Sequence, residues 1–436
     1  MAWTLLPAPQ DAPAAAASAS PLAAELAAEL AALVDRPTAT ERARAAATAA
    51  QRANSTVDDW LAACAAFAAT AAEPALRTGP NVVKVPLQVL DRVEDTELHV
   101  YVPAAAQGRR APCLLWGHGA GGNGEGQYRW FQDVADKLGI AVLAPTEFGQ
   151  EPGWGFTPRE RQAQLAALRW LRRHQDVAED AVFVGGASRG GHMTWDLLLR
   201  QPDLFAAALP CIGGPRLQIG VQNNLRYLES VATVPIRDLQ GSKDDPLLLA
   251  NLHLCFERLK KLGGDQQLIE FADRGHDFDL AAVDLAAFFA LRRPAQRTAI
   301  VRTAAVAGEA RSGWAEILAF EPGVQETFDL RVGQGQWDRL DEAGKRAFVL
   351  DQAIQHTARL QCTMTAPGKF TLTGRGVQRA RLLLTDAMLG PDGKVTVQWQ
   401  GRAVVKKPAR SAKVLLTEFA ERFDRTFLPV AEVVLP

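Results

Sequence analysis

A serine alcohol becomes a useful nucleophile only when a neighbouring base takes its proton, and that base needs a carboxylate to hold its tautomer and balance its charge. The chain offers such a set. Ser188 sits in Gly186-Ala187-Ser188-Arg189-Gly190, a G-x-S-x-G pattern. Ala181 to Val184 before it is an apolar run suited to a buried strand, and Gly191 to Arg200 after it reads as a helix with Met193, Leu197 and Leu198 on one face. A strand–turn–helix of this kind lifts the serine hydroxyl above the carboxyl end of a parallel sheet. Small residues two before and two after Ser188 let strand and helix pass closely, and the helix N-terminus beneath favours developing negative charge.

The base and the acid follow by elimination. Downstream of Ser188, the strand–helix region holds His192, His253 and His276. His192 rides on the helix of the serine itself and cannot swing over its hydroxyl. His253 falls in the middle of a helix beside Leu252 and Leu254, a structural or solvent position. His276, in Ala272-Asp273-Arg274-Gly275-His276-Asp277-Phe278, occupies a loop directly after a strand, where the base belongs. The acid belongs on the loop after the preceding strand, Gln240-Gly241-Ser242-Lys243-Asp244-Asp245-Pro246. Asp245 before Pro246 is sufficiently explained as a helix cap, so Asp244 is the preferred triad acid. Asp277 adjoins the base and would have to fold back on it.

An oxyanion requires two preorganised N–H donors. The backbone of Arg189 supplies one, and Ala120 in Gly117-His118-Gly119-Ala120-Gly121-Gly122 is the expected second. A phosphate-binding loop is the rival reading of that glycine run, but it lacks the G-K-[ST] ending. Trp154 and Phe156, on a long loop from Glu147 to Arg161, are candidates for lining a substrate pocket. Tyr128, Trp130 and Trp195 serve equally well as core.

The elements that must position these residues alternate strand and helix from Asn81 to Leu291, which predicts a mainly parallel sheet covered by helices on both faces. The helices expected there include Tyr128 to Leu138, Glu160 to His174, Asn224 to Ala232, Pro246 to Leu262 and Asp279 to Leu291. Residues 1–20 read as a flexible start and residues 21–79 as an alanine-rich helical segment with few side chains capable of chemistry. Residues 80–293 form the catalytic unit. After a linker at Arg292 to Arg297, residues 298–436 read as a β-rich accessory domain with one late helix near Ser411 to Phe423.

At 436 residues, 48% hydrophobic and 22% charged, the chain can bury large cores in two or three domains. A net charge of −1 gives no electrostatic reason for nucleic acid or anionic lipid as a partner. Five scattered cysteines without C-x-x-C spacing point to neither a zinc site nor a disulfide framework, and no metal or cofactor is expected. No window has the roughly 18 apolar residues of a membrane span. The apolar Trp3 to Ala8 lacks a basic n-region, but the Ala/Pro/Ser stretch after it points to an exported protein, with a cytoplasmic one as the alternative.

With Gly117-His118-Gly119, Gly186-Ala187-Ser188-Arg189-Gly190-Gly191, Gly241-Ser242-Lys243-Asp244 and Gly275-His276 in this order, the chain resembles the α/β-hydrolase superfamily. It looks most like the esterase branch, related to polyhydroxybutyrate-depolymerase-like and feruloyl-esterase-like proteins and to the catalytic domain of prolyl oligopeptidases. The likeness covers about residues 80–293, half the chain. It implies acyl-enzyme chemistry on a carboxylic ester, with Ser188 attacking, His276 shuttling the proton and Asp244 orienting His276. A serine peptidase of prolyl-oligopeptidase type and a non-catalytic binding protein are the alternatives. Prolyl oligopeptidases usually carry a β-propeller before this domain, where about 80 helical residues are expected here.

Overall fold

The computed structural model describes residues 21–67, 73–147, 156–217, 223–294 and 297–436. The expected flexible start, residues 1–20, and Trp154 lie outside them.

Helices α1 (Pro21–Val34), α2 (Ala39–Ala49) and α3 (Val57–Ala66) come first. Thr38 with Glu41, and Thr56 with Asp59, form reciprocal capping boxes that fix where α2 and α3 begin. A long hairpin follows, β1 (Gly79–Val89) and β2 (Arg92–Val102), antiparallel from Gly79 opposite Val102 to Val89 opposite Arg92. Then come β3 (Ala111–Gly117), α4 (Gln132–Leu138), β4 (Ala141–Pro145), α5 (Pro158–His174) and β5 (Val177–Ala187). Next are α6 (Arg189–Arg200), β6 (Ala207–Cys211), β7 (Ile236–Gly241), α7 (Pro246–Leu262), β8 (Gln266–Phe271) and α8 (Leu285–Phe289).

The eight strands form one sheet in the order β1-β2-β4-β3-β5-β6-β7-β8. β2 runs antiparallel to both its neighbours, and every pairing from β4 to β8 is parallel. This is the mixed, mostly parallel architecture expected. β3, β4 and β6 are near-continuous apolar runs because central parallel strands are buried on both faces. One core packs α5, α6 and α7 on the sheet through Leu168, Leu171, Met193, Trp195 and Leu252. The other packs α4 and α8 through Phe131, Ala135, Phe288 and Phe289.

Three expected helices take a different form. Residues Leu225–Val231 are 3₁₀, and Gln127–Trp130 is a 3₁₀ turn separate from α4. The closing helix divides into 3₁₀ Leu280–Ala282 and α8, because the Asp284 side chain accepts from the Ala287 N–H and starts a new helix.

The rest of the chain holds β9 (Ala299–Ala304), β10 (Arg311–Ser312), β11 (Ala315–Phe320), α9 (Glu342–Gln355), β12 (Ala358–Ala366), β13 (Lys369–Arg375) and β14 (Val377–Leu384). It ends with β15 (Val395–Trp399), β16 (Arg402–Lys406), α10 (Ala412–Arg422) and β17 (Ala431–Leu435). Sheets β10-β11-β14-β17 and β16-β15-β13-β12-β9 enclose a core that includes Trp314, Phe370, Leu382 and Val397. α10 leaves these sheets and shares a core with α1, α2 and α3, where Phe67 meets Phe419 and Phe423 edge-on at 5.8 and 5.6 Å. The first and last helices of the described chain therefore stabilise one another.

Arginines join this region to the large sheet. Arg302, 1% exposed, donates to the Leu199 and Arg200 carbonyls at the end of α6, both at 2.9 Å. Those carbonyls have no intrahelical donor, so a buried guanidinium there anchors the helix that begins beside Ser188. Arg422 pairs with Asp203, and Arg293 with Asp424 at 2.7 Å.

Candidate active site

The turn between β5 and α6 holds Ser188 at φ 57°, ψ −115°, a conformation that costs a residue with a Cβ on the order of 1–3 kcal/mol. Surrounding bonds and close packing impose it. The Ser188 N–H donates to the Cys211 carbonyl on β6 at 2.9 Å, and the His192 N–H returns to the Ser188 carbonyl at 3.0 Å. A Cβ on Gly190 would overlap the Gly117 carbonyl, and one on Gly186 would lie 2.5 Å from the carbonyl carbon of Gly190. β3, β5 and α6 thus meet at van der Waals distance around the serine.

His276 reaches the same rim from the loop after β8. Its Nε2 lies 2.8 Å from Ser188 Oγ, and its Nδ1 lies 2.8 Å from Asp244 Oδ2. The His276 side chain is 51% exposed and that of Asp244 only 7%, so the imidazole faces solvent while the carboxylate is shielded. Their two loops are bonded together. Ser242 N–H donates to Phe271 O at 3.0 Å, Lys243 N–H to Arg274 O at 2.7 Å, and Asp273 N–H to Ser242 Oγ at 3.1 Å. The Asp244 and His276 loops are therefore pinned to each other.

Asp245 has a different task. Its carboxylate accepts from the Leu247 and Leu248 N–H groups at 2.7 and 3.4 Å and caps α7, with Pro246 at the first helical position. His192 is buried with Nδ1 against the Gly214 backbone, and burial pushes its imidazole down to about 4. His253 is exposed on α7 and meets Glu270 at 2.8 Å. Asp277 lies toward Arg274 at 3.5 Å.

The glycine-rich loop after β3 comes beside Ser188: a Cβ on Gly119 would lie 3.7 Å from Ser188 Cβ. Ala120 is the next residue, exposed in the turn closed by Gly122 N–H to Gly119 O at 3.1 Å. Arg189 opens α6. His118, fully buried, fixes the loop from behind. Its Nδ1 donates to Gly119 O at 2.7 Å, and its Nε2 accepts from the Glu147 N–H at 3.1 Å, an assignment of the neutral tautomer that follows from the partners. Burial lowers the imidazole pKa, in keeping with that neutral form.

Phe156 requires a correction. It is 5% exposed, belongs to the core beside α5, and lies under the Arg189 guanidinium at 5.1 Å from the ring centroid, so it does not face substrate. The Arg189 side chain also pairs with Glu160, the residue that closes the capping box of α5 with Thr157. α5 begins at Pro158, so the loop is shorter than expected. Trp195 is core, donating to Asp238 Oδ2 at 2.7 Å, and Tyr128 stacks on Tyr101 at 4.6 Å. Trp130 is instead 50% exposed, stacked at 5.1 Å and 12° on Phe278, two residues beyond His276.

The site thus sits at the rim of an eight-stranded, mostly parallel sheet with helices on both faces. No protein-family model and no curated protein matches the chain. Solved structures do. A thermostable esterase aligns over 44% of this chain and 55% of its own, at 21% identity and TM-score 0.37. Thermogutta terrifontis esterase 2 aligns over 50% and 92%, at 19% identity and TM-score 0.38. Pyrococcus horikoshii acylaminoacyl peptidase aligns over 46% and 38%, at 17% identity and TM-score 0.36. The chain thus spans about half of the first of these and nearly all of the compact esterase.

Among the described residues no cluster of three or more His, Cys, Asp or Glu could hold a metal, and no helix is long and apolar enough to cross a membrane. All five cysteines are buried free thiols.

Glu147 gives a test of the electrostatics behind the loop. Its carboxyl is 2% exposed, and burial, then Glu160, push it up to about 8 against the pull of Arg189 and Arg159. A carboxyl with a raised native pKa favours the fold only while protonated. The unfolded chain releases that proton near 4.5, so native stability falls as pH rises from there through about 8. Glu147→Gln removes the titration. Thermal melts should show little difference from wild type at pH 4.5 and a variant several degrees more stable at pH 8. Parallel melting curves across that range would remove Glu147 as the cause.

Proposed function

We propose that the chain is a serine hydrolase of carboxylic esters, acting through Ser188, His276 and Asp244 and an acyl-enzyme intermediate. The observation that carries this is the pair of 2.8 Å contacts running Ser188 Oγ–His276 Nε2 and His276 Nδ1–Asp244 Oδ2 at a strained strand–helix turn. His276 takes the hydroxyl proton as Ser188 attacks the acyl carbon, then returns it to the leaving alcohol. Water, deprotonated by the same imidazole, releases the acid. Asp244 keeps the Nδ1 proton in place and balances the imidazolium.

The tetrahedral oxyanion falls to the backbone N–H groups of Arg189 and Ala120, with the N-terminus of α6 adding favourable dipole. His118 serves this step indirectly by holding the Gly119 carbonyl, and the Arg189–Glu160 pair holds the start of α6 against α5. Trp130 on Phe278 presents an exposed aromatic face next to the base.

Short p-nitrophenyl esters, run beside proline-containing peptide amides and a fluorophosphonate probe, test the proposal. Ester turnover with the probe mapped to the Ser188 peptide is the expected result. Peptide cleavage with negligible ester turnover would replace the ester reading by a peptidase one, and absence of both labelling and turnover would leave a binding protein.

A further inference from the structure

We propose that Gln240 is a positioning residue: its side-chain amide holds the Asp244 carboxylate in the orientation that receives the His276 N–H. This deepens the reading above and rests on it.

Gln240 is the penultimate residue of β7, and its side chain is fully buried. A buried primary amide costs a few kcal/mol unless its donors are used. Gln240 uses Nε2 on a single carboxylate oxygen, Asp244 Oδ2, at 2.6 Å. The opposite assignment of the amide would put two acceptor oxygens at that distance, so the nitrogen must face Asp244.

The acid is therefore held by three donors. Oδ1 accepts from the Asp245 backbone N–H at 2.7 Å, while Oδ2 accepts from Gln240 Nε2 and from His276 Nδ1 at 2.8 Å. The backbone bond alone leaves the carboxylate free to turn about its last torsion. Gln240 supplies the second fixed point, and it comes from a sheet strand rather than a loop. Two residues earlier on the same face of β7, Asp238 accepts the Trp195 indole N–H at 2.7 Å, tying this part of the strand to α6.

Gln240→Met preserves volume and burial and removes the donor. A residue that only filled space would tolerate this exchange. A positioning residue would not, and the distinguishing readout is the titration of His276, followed by NMR on the full chain and independent of any substrate. The substitution leaves the other charged and titratable groups around His276 in place: Ser188 and His192 on the serine turn and α6, and Arg274, Asp277 and Asp279, paired among themselves on its own loop.

Gln240→Met is expected to titrate His276 at a pH lower by several tenths of a unit, because a carboxylate out of line stabilises the imidazolium less, and to move the acid limb of kcat/KM in the same direction. It should lower kcat roughly tenfold with KM little changed, the signature of misorientation rather than lost binding. An unchanged His276 titration in folded Gln240→Met would overturn the proposal. Should that variant fail to fold, Gln240→Glu supplies the test. Its carboxyl can donate to Asp244 only while protonated, so its activity should fall with rising pH where wild type is still climbing. A profile superposing on wild type would overturn the proposal equally. Failure of the ester reading is separate, since it is seen in wild type as absent turnover and absent labelling of Ser188.

Discussion

Ser188→Ala should abolish ester turnover and fluorophosphonate labelling while leaving the fold intact. Removing a nucleophile that works through a base costs on the order of 10⁴- to 10⁶-fold in kcat, because the remaining groups can only bind and polarise the carbonyl. The backbone at this position adds a second, independent expectation. At φ 57° and ψ −115° any residue with a Cβ is strained, so alanine inherits the strain of serine. Ser188→Gly relieves it and should be more stable than either by about 1–2 kcal/mol, a gain of several degrees in Tm. Both variants would be inactive, yet their melting temperatures would separate. Turnover surviving in Ser188→Ala would remove Ser188 from the mechanism. Equal stability of the two variants would mean that the turn stores no strain.

That turn was the most legible part of the molecule because its causes are local. Two glycines, an apolar run and a following helix specify the close passage of β5 and α6, whatever the rest of the chain does. His276 and Asp244 were legible at one remove, through the rule that each follows a strand of the same sheet. Features that depend on distant atoms were not. Phe156 looks like any loop aromatic, and its place in the core beneath Arg189 follows from how α5 and α6 pack. His118 and Gln240 sit inside motifs read for their glycines and their aspartate, but their partners, Gly119 with Glu147 and Asp244, follow from how loops pack. α9 escaped because Phe348-Val349-Leu350 reads locally as a strand, and only Leu350 and Ala353 of that helix are fully buried. The pairing of α10 with α1, α2 and α3 joins segments at opposite ends of the chain, and no periodicity within either announces the other.

Adjacent aspartates at 244 and 245 permit the sharper of the two expected results. Asp244→Asn preserves shape and keeps an oxygen, but it presents an amide where His276 needs a charged acceptor. The imidazole is then free to carry its proton on Nε2, facing Ser188, where it cannot accept the serine proton. A loss of about 10⁴-fold in kcat follows from that wrong tautomer, with little change in stability because the Gln240 amide can reverse and accept from the new amide N–H. Asp245→Ala should do the reverse. It removes the side-chain acceptor of the Leu247 and Leu248 N–H groups and should cost about 1 kcal/mol, read as a lower Tm. Its activity at a temperature where both proteins are folded should stay within a few-fold of wild type, since Asp245 touches His276 through nothing but its neighbour's carboxylate. The two measurements cross: one variant loses rate and keeps its melting point, the other loses melting point and keeps its rate. The opposite crossing would hand the role of triad acid to Asp245, and equal small losses in rate would mean that no carboxylate of this loop assists the base.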